Sequence, residues 1–315
     1  MKMTLTNLKD FVKAYVLQTL QGNTTFTASY EDISGMINKV GKQVEIKGLF
    51  NDKLQMLDAD FLELGKTIEE YFISLTLPQN FDPNGANDLA PKYPTKGDVY
   101  YSYDLGRKVI ATTVPYGRVE SACINAETFA DYIASIMEKL YNSQDMYKYG
   151  IKKQLLGNVI KKAETKGRTS TIALPTDTTT AEDFILNIKQ LVSNASFAND
   201  NNSLGDEMIG ATPRLTLFIK KGILPVLEVK ALAGAFNIDK LKMECDIVEV
   251  DDFGDADAKY YALLADARGI KLHPSYLAMR EKQNAEGDFI NYYLHSDFTA
   301  FISNYVFVNA IKSAA

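Results

Sequence analysis

An α+β fold is predicted for this 315-residue chain from three features. A long helical stretch occupies the middle, a strand-rich excursion with a proline-laden tip precedes it, and short helices and strands mix after it. The helical stretch runs from Asn125 to Ala163. Phe129, Ile133, Ile136, Met137 and Leu140 repeat at helical spacing and form one apolar face. Tyr147, Ile151, Leu155, Val159 and Ile160 continue the pattern. Asn125 suits the N-cap, while Glu127 and Asp131 suit the positive end of the dipole. Lys152, Lys153, Lys161 and Lys162 suit the C-terminal half. No proline falls between Tyr116 and Leu174. A helix of this length, about 50–55 Å, is a spine that other elements cross.

The excursion is read over residues 62–114. Phe61 to Leu77 is rich in β-branched and aromatic residues after Gly65 and predicts a strand. The stretch 78–97 holds four prolines and two glycines, which forbid regular structure. Val99 to Asp104 and then Arg107 to Pro115 return as a second extended segment. A loop of this length in a compact domain is usually functional. A two-stranded ribbon alone is marginal in water, so it needs a surface, and that points outward to a neighbouring molecule.

Residues 1–60 read as an arm laid over something else. Within it, 4–20 and 30–40 predict short amphipathic helices, separated by Gln21-Gly-Asn-Thr-Thr. Beyond the spine, Lys166 to Thr171 reads as a break. Thr179-Thr-Ala-Glu182 has the form of a capping box for a helix whose face is Phe184, Ile185, Ile188, Leu191 and Val192. Ser193 to Gly210 reads as a loop and Arg214 to Ile219 as a strand. Pro225 falls in the first turn of a helix carrying Val226, Val229, Leu232, Ala233 and Phe236. Strands are predicted at 245–250, 260–265, 269–273 and, as one long element, 289–308.

Composition narrows the function. Hydrophobic residues make up 46% of the chain and charged residues 23%, which suits a packed globular body. The chain lacks the unbroken apolar run of about eighteen residues that a membrane helix needs, and no signal-peptide core opens it. Net charge is −6 and basic runs stop at two residues, which argues against a phosphate-gripping DNA-binding surface. Eighteen tyrosines without a tryptophan suit half-wet interfaces. Cys123 and Cys245 read as buried free thiols.

Chemical motifs fail on inspection. Gly65-Lys66-Thr67 lacks the upstream glycine of a phosphate-binding loop, since position 60 is Asp60, and a strand follows it. Glu69 and Glu70 point to opposite strand faces, so one is expected solvated and one paired with a base. Asp251, Asp252, Asp255 and Asp257 miss the calcium-loop spacing and read as a solvated turn. His273 and His295 have no ligand partners at helical spacing. Asp297 shares a strand face with His295, but two groups do not make a site. No catalytic residue, metal or cofactor is expected. An α+β enzyme with no recognisable motif stays open as an alternative.

The order of elements resembles the major capsid protein fold of tailed bacteriophages, shared with encapsulin shells, and is most similar to small short-tailed phages of the Picovirinae type. Four local matches carry this: Gly65-Lys-Thr-Ile-Glu-Glu70, Phe129 to Ser143, Leu232-Ala-Gly-Ala-Phe-Asn237, and Asn291-Tyr-Tyr-Leu-His295 through Phe307. The resemblance implies an N-terminal arm over 1–60, an extended loop over 61–115, a peripheral domain from 116–169 and 286–315, and an axial domain over 170–285. It implies a virion protein, assembled in the host cytoplasm into hexamers and pentamers of a head enclosing double-stranded DNA without sequence-specific binding. Scaffold, portal and other virion proteins are the implied partners, with no membrane. The extended loop would contact the neighbour through Phe81, Asp82, Lys92, Tyr93, Tyr100 and Tyr103. Two loops are candidates for the capsomer axis: 196–206, with Asn199, Asn201 and Asp206, and 276–288, with Glu281 and Asn284. Some relatives carry an extra immunoglobulin-like domain; none is expected here. An encapsulin-like nanocompartment is the alternative within the same fold.

Overall fold

The computed structural model describes residues 2–3, 45–46, 51–63, 66–73, 81, 83, 91, 93, 96–101, 104–115, 126–198, 214–233 and 245–313. The expected helices at 4–20 and 30–40, Phe236 and Cys123 lie outside these residues. Lys2–Met3 (β1) and Glu45–Ile46 (β2) pair in parallel.

The spine is one α-helix, Ala126–Thr165 (α1), 40 residues long and therefore about 60 Å. Ile136, Met137 and Leu140 are buried as expected, and so are Ile151, Leu155, Val159 and Ile160. Its end is closed by Gly167 at φ 68, with the Arg168 N–H donating to the Ala163 carbonyl at 2.8 Å. The expected break at 166–171 is only three residues wide. Thr169–Thr171 (β6) then runs parallel to the last strand of the chain.

The ribbon is narrower than the sequence suggested. Ile68–Ile73 (β3) pairs antiparallel with Lys96–Tyr101 (β4), with Ile68 opposite Tyr101 and Ile73 opposite Lys96. The second extended segment does not continue beside β3. Asp104 accepts from the Gly106 N–H at 2.9 Å and Gly106 takes φ 74, which turns the chain. Lys108–Pro115 (β5) therefore joins a different sheet.

After the acidic turn at 251–257 and the strand that follows it, a long hairpin begins at Ile270, five residues beyond Ala265. Ile270–Asn284 (β10) pairs with Phe289–Ile302 (β11), and β11 pairs with β5, giving a three-stranded antiparallel sheet. The stretch 276–288, expected as a loop, is thus mostly strand. The alternation had been masked because β10 carries Arg280, Glu281, Lys282 and Gln283 in a row. The expected 289–308 strand is two strands. Ser303 accepts from the Tyr305 N–H at 3.0 Å and turns the chain, after which Val308–Lys312 (β12) enters another sheet.

That second sheet has the order β6-β12-β9-β7-β8, with Leu215–Lys220 (β7), Cys245–Val250 (β8) and Tyr260–Ala265 (β9). By hydrogen bonding, 270–284 belongs to the sheet of β5 and β11, and 308–312 to the sheet of β6 and β9. Both faces of β7 and β9 are covered, which is why they read as unbroken apolar runs. Phe218, Leu263 and Ala265 share a core with Leu155, Leu156, Val159 and Ile160 of the spine. Leu215, Leu217, Ile219, Tyr261 and Leu264 face the helices Thr178–Ser196 (α2) and Ile223–Ala233 (α3) on the other side. Phe184, Ile188 and Val192 of α2 are buried as the periodicity predicts, with Ile185 and Leu191 at the margin. Among the described side chains of α3, Leu227 is buried and Val226 half-buried; those of Val229, Leu232 and Ala233 lie outside the described ones.

The cap of α2 differs from the expected one. Asp177, not Thr179, is the N-cap; its carboxylate accepts from the Thr180 N–H at 2.9 Å, and the Thr180 hydroxyl accepts from the Asp177 N–H at 3.0 Å. Aspartate caps at least as well as threonine, so the helix starts earlier.

Candidate assembly surface

The described residues next to the expected ribbon and the expected arm are each tied to the body. The ribbon root is a polar cluster between three elements. Glu70 of β3 accepts from the Tyr101 hydroxyl of β4 at 2.9 Å and from the Ser303 hydroxyl at 2.5 Å. The Asn304 N–H donates back to the Tyr101 oxygen at 2.8 Å. Lys162 of α1 donates to the Asn304 side-chain oxygen. The Tyr101 ring meets Phe301 edge to face at 5.0 Å. Burial pushes the Tyr101 hydroxyl well above its ordinary pKa, against the Asn304 hydrogen bond and with help from the Glu70 charge. Burial also lowers the Lys162 pKa, against the pull of Glu70. Glu69 is solvated as expected, but Glu70 is held by two hydroxyls rather than by a base.

The arm root is a buried ion cluster. Lys152, read from the sequence only as suiting the C-terminal half of the helix, is 0% exposed; it donates to Asp52 at 2.5 Å and pairs with Asp58 at 2.6 Å. Leu54 and Leu57 enter the core that Ile151, Leu155 and Leu156 of the spine line. Main-chain bonds then lay the segment along β10: Ala59 N–H to the Leu272 carbonyl at 3.1 Å, and Leu62 N–H to the Pro274 carbonyl at 2.9 Å. His273 Nδ1 lies 2.9 Å from the Asp60 carbonyl oxygen. The sequence carried a signal for Lys152. It opens a second apolar line, 152-156-159-163, whose other members Leu156, Val159 and Ala163 are all buried.

The acidic turn is also more tethered than a solvated turn. Lys153 bridges Asp251 at 2.8 Å and Asp252 at 2.9 Å, and the Tyr149 hydroxyl donates to Asp251 at 2.7 Å. Burial works to raise the Asp251 pKa, but these partners outweigh it and hold the carboxyl below its usual range. Cys245 is a buried free thiol, pushed up to about 11 by burial. Among the described residues no three His, Cys, Asp or Glu side chains converge as metal ligands. No helix among them is long and apolar enough to cross a membrane.

Beyond the anchored root, the ribbon tip exposes its aromatics. Phe81 is 89% exposed and Tyr93 87%. Tyr71, on the ribbon strand itself, is also exposed. Tyr100 lies in β4 opposite Glu69. Asp82, Lys92, Tyr103, Asn199, Asn201 and Asp206 lie outside the described residues. Glu281 pairs with Tyr292 in the three-stranded sheet. Asn284 ends β10, where its side-chain oxygen accepts from the Gly287 N–H at 2.9 Å. These two are hairpin residues, not members of an open loop.

Known proteins share this architecture. The capsid of Staphylococcus phage Andhra superposes with a TM-score of 0.65 at 14% identity, over 84% of this chain and 85% of that one. The mature capsid of bacteriophage PhiM1 gives 0.54 at 10% identity, over 86% and 90%. At these identities the likeness establishes the tailed-phage major capsid fold alone. By sequence, the major capsid protein of Bacillus phage GA-1 is 23% identical over 273 residues, 85% of this chain and 57% of that protein. The major capsid protein of Streptococcus phage Cp-1 is 22% identical over 295 residues, 87% and 80%. The chain spans 57–60% of the length of the Bacillus phage relatives it matches. The family model described as Phi29-like phage major capsid protein matches residues 3–313. A match from near one end of the chain to near the other, on a body with this fold, places the protein in the Phi29-like phage major capsid protein family.

Proposed function

We propose that this protein is a shell subunit that assembles with its own copies into hexamers and pentamers, forming a phage head around double-stranded DNA. One observation carries the reading: the ribbon is fixed at its root by Glu70, Tyr101 and Ser303, yet presents Phe81 and Tyr93 almost fully to water. Rigid anchoring of a segment whose tip is apolar and bare costs free energy on a lone subunit. A neighbour that covers the tip offsets that cost. Heterologous contacts of this kind close into rings, and rings tile a shell. The arm, rooted through Lys152, supplies a second outgoing segment. The body built on β6 to β9, β12, α2 and α3 would meet its copies around the local axis, through loops such as 196–206. A net charge of −6 suits a wall that must not trap packed DNA. The role is structural, with scaffold and portal proteins as further partners in the virion.

Deleting Phe81 to Tyr93 tests this. The variant subunit should keep its circular dichroism spectrum and melt cooperatively, because the root contacts remain. It should fail to form closed particles by negative-stain microscopy under conditions where the full chain forms them. Normal shells from the deletion would remove the ribbon from the assembly contact. Particles of the full chain that hold protein cargo and no nucleic acid would favour a nanocompartment instead.

A further inference from the structure

The chain passes twice between its two sheets, and the two passages lie side by side. Leaving β9 at Ala265, it enters β10 at Ile270 through the single turn Ala267–Gly269. Leaving β11 at Ile302, it enters β12 at Val308. β9 pairs antiparallel with β12, and β10 with β11, so Ala265 stands opposite Val308 and Ile270 opposite Ile302. The passages therefore bridge the same gap, one in each direction. They are bonded to each other there: the Asp266 N–H donates to the Phe307 carbonyl at 3.0 Å, and the Ser303 N–H to the Gly269 carbonyl at 2.8 Å. The approach at Gly269 is tight. A Cβ on it would stand 2.1 and 2.9 Å from the two methyl carbons of Val306 and 3.0 Å from the Ser303 Cβ. Beneath the crossing, Ala265, Ala267, Ile270 and Val308 join the core that Val159 and Ile160 of the spine line.

The ribbon is fastened to this crossing. Ser303 and Asn304 open the return passage, and they are the residues that bond Glu70 and Tyr101 of the ribbon. The spine reaches the same place, where Lys162 donates to the Asn304 side chain. We propose that the crossing is a joint whose position sets the direction of the ribbon, so that a displacement between the two sheets swings it. Close-packed interiors transmit a displacement rather than absorb it. Ser303 is 1% exposed and its hydroxyl is used twice, donating to Glu70 and accepting from the Tyr305 N–H. If the passage moved without the ribbon, that buried hydroxyl would lose its acceptor, so the ribbon follows. The ribbon strands are paired over six residues each, from Ile68 opposite Tyr101 to Ile73 opposite Lys96, and turn as one piece. The joint rests on these contacts alone; only its use, aiming the ribbon at a neighbour, rests on the shell reading.

Gly269→Ala tests the joint without touching a ribbon residue. Valine is stiff at χ1, so the clash with Val306 is relieved by moving the return passage. Pairs of spin labels on the full-length subunit, with Cys123 and Cys245 replaced by Ala, report the geometry. Tyr71→Cys marks the ribbon, Val109→Cys the three-stranded sheet, and Lys189→Cys the helix α2 on the five-stranded sheet; all three positions are exposed. Gly269→Ala should shift the 71-to-189 distance by about 2 Å or more. Adding Val306→Ala removes both methyl groups and should restore the original distance. Tyr101→Phe combined with Ser303→Ala should broaden both ribbon distances and leave the 109-to-189 distance narrow. That variant keeps the crossing intact and decides the matter should Gly269→Ala fail to fold. An unmoved ribbon in Gly269→Ala would mean that another tether, such as the Leu62 bond to Pro274, fixes its direction, and overturns the joint. So does a shift that survives Val306→Ala, or a double variant whose ribbon distances stay narrow or whose 109-to-189 distance broadens with them. None of these results depends on whether particles form.

Discussion

Lys152→Ala is expected to destabilise the subunit by about 3–5 kcal/mol, the range seen when one partner of a buried ion pair is removed. The lysine is wholly buried, and its two carboxylates lie 2.5 and 2.6 Å away. Asp58 is partly exposed and can turn to water; Asp52 is mostly covered and cannot do so without moving Leu54, whose N–H it also accepts at 2.8 Å. The substitution therefore leaves an unpaired charge beside an apolar core and also a cavity. Lys152→Met restores most of the volume but no charge. It should recover part of the loss, because it refills the cavity while leaving Asp52 without its partner. Urea denaturation of both variants at pH 7 checks both arms. A loss under about 1 kcal/mol for the alanine variant would mean that the ion cluster relaxes into solvent, contrary to the burial described.

Gly157→Ala should reverse the sign that helix propensity predicts. Alanine in place of an interior helical glycine ordinarily stabilises by about 0.5–1 kcal/mol. At position 157 an added Cβ would stand 2.3 Å from the Phe253 carbonyl oxygen, which belongs to backbone and not to a flexible side chain. The turn that carries Phe253 is pinned to the same helix by Lys153 and Tyr149, and Gly254 at φ 57 already packs on Gln154. It can yield only by breaking those contacts, so a net loss of about 2 kcal/mol or more is expected. Gly150 lies two turns earlier with nothing within 4 Å of its Cβ position. Gly150→Ala is the matched control and should show the ordinary gain. Thermal midpoints of the two variants moving in the same direction would refute the close approach at Gly157.

The same helix illustrates what could be read in advance. Its extent, its main apolar line and the strands at 245–250 and 260–265 were legible because each depends on local period alone. The ribbon was legible in outline, through the prolines and glycines of 78–97, but its second strand was not separable from β5. The turn that separates them rests on Asp104 and Gly106, a weak local signal beside a long run of β-branched residues. The β10 strand was hidden for the opposite reason: one edge of its sheet meets solvent, so charged residues break the alternation.

Local order along the chain came from the sequence: which stretches are helix or strand, that one helix dominates, and that no catalytic motif is spelled out, since backbone propensity and hydrophobic period act over a few residues. Partnership across the chain did not. Only the folded body decided that Glu70 would be held by Tyr101 and Ser303 and that Lys152 would be buried between Asp52 and Asp58. Those pairs join residues from about 30 to more than 230 positions apart, and a charge or hydroxyl has no preferred partner until the sheets and the spine bring one within hydrogen-bonding range.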